Sequence, residues 1–191
     1  IHFPDERRLN LNSKLNLESI QLVNDIISFS DLLSAEYILF HPGFDSSKKH
    51  ILHNLGSIDD DRLVVENVPK VSIDKEIELY GNNPSSIKSI IDKIGCKFCL
   101  DFSHAIKTSK SLDGDSESLI SSFLKLKPSF FHVTDGHSEL EIDQHLNLGE
   151  GDFNLSSHKD NIMESVNKAV IFETPKIGNN IKNDLNNVEH F

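Results

Sequence analysis

Tryptophan is absent from this chain, methionine occurs once and cysteine only twice. No apolar run approaches the roughly 18 residues that a membrane-spanning helix needs. Ile1 opens neither a basic segment nor an apolar signal stretch, so the sequence carries no mark of insertion or export and predicts a cytoplasmic chain with no membrane partner. Two cysteines are too few for a disulfide framework. Cys96 and Cys99 resemble a lone C-x-x-C, but Lys97, Phe98 and Leu100 read as strand interior. Strand side chains alternate between faces, so a spacing of three points the two thiols in opposite directions and argues against a redox or zinc pair. Also missing are Gly-x-Gly-x-x-Gly after a strand, a P-loop and a Gly-x-Ser-x-Gly elbow, so nucleotide cofactors are not implied.

Positive charge is scarce as well. Nineteen Lys and Arg face 30 Asp and Glu, a net charge of -11. Such a field repels polyanions on average and counts against nucleic acid as a partner. Bound metal cations would invert that sign locally.

The chain does hold ten histidines and, in 191 residues, enough apolar content (37%) for one substantial core. We expect a single domain over 1–191. Short apolar runs alternate with stretches of helical spacing. The predicted strands are Ile1 to Phe3, Tyr37 to Phe40, Leu63 to Val65, Lys97 to Leu100, Phe130 to Val133 and Ala169 to Phe172. Helices are expected from Ile20 through Leu33, from Pro84 to Ile94 with Gly95 just past the end, and over 116–126 and 156–166. The Asn-rich tail from Gly178 is ambiguous. Strand and helix in alternation imply an α/β fold with a parallel sheet, either a closed barrel or an open doubly wound sheet.

Each predicted strand carries a potential metal ligand in or just after it: His2, His41, Glu66, Asp101, His132 and Glu173. Reactive groups at the ends of many different strands fit a barrel, whereas an open sheet gathers its site at one switch point. A carboxylate closing a buried strand needs a partner, and a metal supplies one. Imidazole with carboxylate oxygen suits Zn, Mn or Fe, and a set without thiolate argues against a closed structural zinc site.

In order, the motifs are His41-Pro42-Gly43, Glu66-Asn67, Asp101-x-x-His104, His132-x-x-Asp135, Asp143-x-His145, Leu148-Gly149-Glu150-Gly151 and Glu173-Thr174. This series resembles endonuclease IV, the zinc-dependent apurinic-site endonuclease family, within the xylose-isomerase-like (β/α)8 TIM barrel superfamily. The resemblance spans essentially the whole chain. It implies nine ligands for up to three Zn2+ ions: His2 and His41 on the first, Glu66 bridging to the second, Asp101, His132 and Glu173 completing the second, and His104, Asp143 and His145 on the third. It also implies catalytic roles for Glu66, as the bridge, and for Glu173, which would orient an attacking hydroxide. A bridging carboxylate holds two metals about 3.5–4 Å apart, suited to in-line displacement at phosphorus. Gly149 to Gly151 would form a tight turn beside phosphate or sugar, or simply a loop entering the next helix.

Several features depart from the family. Asp5 stands where an aromatic that reads DNA is expected, and Gly136-His137 replaces a basic position, leaving His137 as a variant contact or a solvated loop residue. Phe44 and 45–49 look like an exposed loop opening a helix, with Lys48 and Lys49 as the local phosphate contacts. Six strands would correspond to strands 3–8, with the first two β/α units upstream or absent; an uncovered first edge would then call for another element or a partner chain. Ser103 reads as a strand-end hydroxyl bonded to backbone, without a catalytic role.

The resemblance therefore implies a hydrolase acting on damaged DNA. The alternative within the superfamily is a sugar isomerase or epimerase with one Mn2+ or other divalent ion on Glu66, Asp101, His132 and Glu173, a small sugar as its substrate, and an acidic charge to match. Such a site does not need His2, His41, His104, Asp143 and His145 as a complete set. A barrel that keeps its ligands without turnover is the third reading.

Overall fold

The computed structural model describes residues 1–3, 7–44, 49–73, 76–176, 178 and 181–191. Asp5, Lys48 with the rest of the 45–48 segment, and the side chain of Lys49 lie outside what it describes.

Among the described residues, five short parallel strands form one sheet: β1 (Ile38–Phe40), β2 (Leu63–Glu66), β3 (Lys97–Asp101), β4 (Phe130–Val133) and β5 (Val170–Phe172). Their spatial order is their chain order, β1-β2-β3-β4-β5, each pairing parallel with the next. An open doubly wound sheet reverses order at a switch point. Unbroken succession is the barrel arrangement, and it settles the alternative the sequence left open in favour of a TIM-barrel-like fold.

The expected first strand, Ile1 to Phe3, is reduced to one parallel bridge between His2 and Leu39. Phe3 N donates to Leu39 O and Leu39 N to Ile1 O, both at 2.8 Å. Those two bonds flank His2 and are all that three residues offer a parallel neighbour.

Seven helices occur among the described residues: α1 (Leu17–Leu32), α2 (Lys49–Gly56), α3 (Pro84–Ile94), α4 (Phe102–Ser111), α5 (Ser116–Leu124), α6 (Leu155–Glu164) and α7 (Lys182–His190). Their starts are written in side chains: Asn16, Asn83, Asp101, Asp115 and Asn154 each accept the N–H three residues on. In α3, Pro84 follows the cap and Gly95 ends the helix at φ +79°. The helix expected over 116–126 stops at Leu124, as the chain turns through Lys127 at φ +60°. None of the described helices is long and apolar enough to cross a membrane.

Alternation along each strand sorts the core into two layers. Ile38 and Phe40, Leu63 and Val65, Phe98 and Leu100, and Phe131 and Val133 face the helices in the larger cluster. Leu39, Val64, Cys99 and Phe130 face the other way and pack with Tyr37 in the concave interior. Cys96 packs against the outer cluster and Cys99 lies in the inner one, in keeping with the alternation argument.

Candidate metal centre

One pleat beyond each inner-layer residue lies a metal-competent side chain. Leu39 is followed two residues on by His41, Val64 by Glu66, Cys99 by Asp101 and Phe130 by His132, and on β5 the exposed Ile171 is followed in the same way by Glu173. The strand period of two therefore sends all five to the same mouth of the sheet. Register sets Asp101 opposite His132, while Glu66 pairs with Cys99, two residues below Asp101 on the same face. His2 joins from its bridge to Leu39.

The nine residues gather into three groups, within each of which the potential ligand atoms lie within 4.8 Å of one another: His2, His41 and Glu66; Glu66, Asp101, His132 and Glu173; and His104, Asp143 and His145. Glu66, fully buried, is shared between the first two. Its Oε2 lies 3.3 Å from His2 Nε2 and 3.1 Å from His41 Nε2, while its Oε1 lies 2.7 Å from His132 Nδ1. Glu173 Oε1 is 3.2 Å from the same His132 nitrogen, and Oε2 is 4.0 Å from His145 Nε2. In the third group, Asp143 Oδ2 is 3.3 Å from His104 Nε2 and 2.6 Å from His145 Nε2.

Two imidazoles are oriented by carbonyls. His2 Nδ1 faces Phe3 O at 2.6 Å and His104 Nδ1 faces Asn67 O at 2.7 Å. Each Nδ1 thus donates to a carbonyl, which turns Nε2 toward the carboxylates as the nitrogen that a metal would take. Asn67 also ties β2 to β3, accepting Asp101 N and donating to Asp101 O.

A sequence profile of the xylose isomerase-like TIM barrel family matches residues 6–189. The chain belongs to that family. An uncharacterized protein of Methanocaldococcus jannaschii is 25% identical over 168 residues, which cover 79% of this chain and 61% of that one. The chain thus spans about three-fifths of the length of that relative. The crystal structure of endonuclease IV from Thermus thermophilus superimposes with a TM-score of 0.69 at 19% identity, over 99% of this chain and 72% of that one.

Electrostatics in this xylose isomerase-like barrel fit a bound cation. Asp101 Oδ2 is buried with no hydrogen-bond partner, and burial pushes the Asp101 pKa up to about 6 despite the opposing pull of His104. Such an orphaned carboxylate oxygen beside Glu66, His132 and Glu173 is the donor that a divalent ion satisfies. Burial alone would also raise Glu66, yet His132, His2 and His41 hold it well below the usual carboxylate range. For His132 and His104, burial opposes the charged form but is outweighed by Glu66 and by Asp101 with Asp143, respectively, so both imidazoles hold their protons well above the ordinary value. Divalent ions would displace those protons. Chain and donor set fit each other.

Other members of the centre escaped the sequence reading. Cys99 lies with Glu66 and His132 in a fourth compact group and its thiol is pushed up by burial; counting by two back from Asp101 would have placed it there. Asp135, noted only as part of a motif, organises the whole β4–α6 loop. Its Oδ1 accepts Gly136 N at 2.8 Å and Phe153 N at 3.2 Å, and its Oδ2 accepts Gly149 N at 2.9 Å and Gly151 N at 3.0 Å. Of the two roles open to the glycine turn, a contact beside phosphate or sugar and a plain loop into the next helix, the structure commits the Gly149 and Gly151 amides to Asp135, as a loop does. Lys107, also buried, reinforces the loop by donating to His137 O at 2.8 Å over the Phe153 ring. His137 itself lies at the rim, 4.0 Å from Asp152. Ser103 is not in a strand-end turn but in the first turn of α4, and its hydroxyl bonds a carboxylate rather than backbone.

Proposed function

We propose that this barrel, one domain over 1–191, is a zinc-dependent phosphodiester hydrolase of the endonuclease IV kind that cleaves DNA at apurinic/apyrimidinic sites. The observation that carries the reading is the third group. His104, Asp143 and His145 form a compact set that shares no residue with the four-residue set of Glu66, Asp101, His132 and Glu173. A one-metal site needs only the latter.

On this reading His2, His41 and Glu66 hold one ion, Glu66, Asp101, His132 and Glu173 a second, and His104, Asp143 and His145 a third. Ions so held supply Lewis acidity and neutralise charge during in-line displacement at phosphorus. Glu66 presents one oxygen to each of the first two groups. Glu173 is the carboxylate of the second group that reaches solvent, with 23% of its side chain exposed. It spans the second and third groups, which suits it to hold an attacking water by hydrogen bond and to accept a proton at Oε2. Asp135 and Asn67 keep the loop and strand ends in place while this happens.

The net charge of -11 favours a second reading, a one-metal isomerase or epimerase of a small sugar, with Mn2+ or another divalent ion on Glu66, Asp101, His132 and Glu173. Incubating the zinc-loaded protein with a duplex containing one abasic site separates the two. Strand scission at that site supports the hydrolase; intact DNA together with interconversion of ketose and aldose substrates by the manganese form would replace it with the isomerase.

A further inference from the structure

We propose that Ser103 is a positioning residue for the third group: its hydroxyl fixes the Asp143 carboxylate so that Oδ2 alone faces His104 and His145. The inference rests on the metal reading above, but its structural basis is a contact that reading does not use.

Ser103 is fully buried in the first turn of α4, between Asp101, which caps the helix, and His104. Its Oγ donates to Asp143 Oδ1 at 2.5 Å, a contact between residues 40 positions apart. Carboxylates only accept, so the hydroxyl proton is committed to that bond. Gln144 N donates to the same Oδ1 at 2.9 Å. With Oδ1 taken twice, the carboxylate presents Oδ2, 3.3 Å from His104 Nε2 and 2.6 Å from His145 Nε2.

Asp143 needs such a device because of where it lies. Of the other acidic ligands, Glu66 and Asp101 end β2 and β3 and Glu173 directly follows β5, whereas Asp143 stands in the long connection between β4 and α6, outside any strand or helix. A carboxylate on a loop turns freely about its last torsion unless hydrogen bonds stop it. Gln144 N is local and moves with Asp143. Ser103 is anchored on the same helical turn as His104, so its bond fixes Asp143 relative to the imidazole with which it shares the site. Shielded from solvent, Ser103 meets no substrate and acts through Asp143. Partners of this kind, behind a metal ligand, typically contribute about 10–100-fold in affinity.

The test compares S103A and S103T with the parent protein. Zinc per chain is measured after equilibration in a series of chelator buffers, with exchange of the Gln144 amide followed in the metal-free proteins. In S103A one ion per chain should bind about 10–100-fold more weakly, the others keeping their affinity, and Gln144 should exchange faster. S103T, which keeps the hydroxyl, should restore both. Parent-like zinc binding in S103A, equal weakening of every ion, or failure of S103T to rescue a folded protein would overturn the proposal. A parent protein that binds no zinc would instead remove the metal reading, and this proposal with it.

Discussion

Asp101 Oδ1 accepts the backbone N–H of His104 at 2.8 Å, so one carboxylate starts helix α4 and turns its other oxygen, Oδ2, bare into the interior. The Asp-x-x-His spacing follows from this: an N-cap bonds the third residue of its helix, which brings the fourth motif residue back over the strand end. The same arrangement makes the metal-free protein pay for its site in stability.

Replacing Asp101 by Asn should expose that cost. Asparagine keeps the cap but removes a buried charge whose folded pKa lies at about 6, above its ordinary value. A raised carboxyl pKa means that the charged form, dominant at pH 7, is disfavoured in the folded state. In chelator, D101N should therefore unfold at a higher temperature, by an amount equivalent to about 1–3 kcal/mol, while its zinc affinity falls. Thermal unfolding with and without zinc checks both signs.

Glu173→Gln should abolish turnover while leaving most of the bound metal, since Glu66, Asp101 and His132 remain in the second group. Rate and metal content measured on one preparation test this; full activity in E173Q would remove Glu173 from the mechanism.

Gly151→Ala should destabilise the β4–α6 loop. A Cβ there would press on the backbone N and O of Gly136 and on Asp135 Oδ1, groups that cannot rotate away. The expected loss is about 1–3 kcal/mol in chemical unfolding, whereas Gly95→Ala meets no neighbour and should suffer only the strain of φ +79°.

His158 sets an acid sensitivity apart from the site. Stacked on Phe102 at 4.4 Å with Nδ1 unpartnered, its imidazole is pushed down to about 4 by burial. A histidine whose folded pKa is depressed adds stability that is present above its unfolded pKa, about 6.5, and lost as pH falls toward 4. Between pH 7 and 4 the parent should lose about 3 kcal/mol more than H158F. Urea midpoints at the two pH values for both proteins read the difference.

How much of this could be read from the sequence varies with the physics involved. The strands and their terminal His, Asp and Glu residues were legible because short apolar runs and a period of two are local signals. Helix α4 was not. Its residues from Phe102 to Ser109 are buried on every side, so no apolar stripe distinguishes it, and its polar Ser103, Lys107 and Thr108 are satisfied by distant partners. The tail from Gly178 was ambiguous for a similar reason: α7 is fixed by Asn187, whose side chain accepts Leu148 N at 2.8 Å and donates to Thr174 Oγ1 at 2.9 Å. Asp135 and Ser103 likewise act across the chain, and nothing in their neighbours in sequence announces it.

The proposed third ion, on a group apart from the two that share Glu66, is tested most directly by zinc content per chain in the parent protein and in D143A. About three ions are expected in the parent and one fewer in D143A, the groups around Glu66 staying filled. One ion in the parent, or loss of every ion or of none in D143A, would contradict the three-group arrangement.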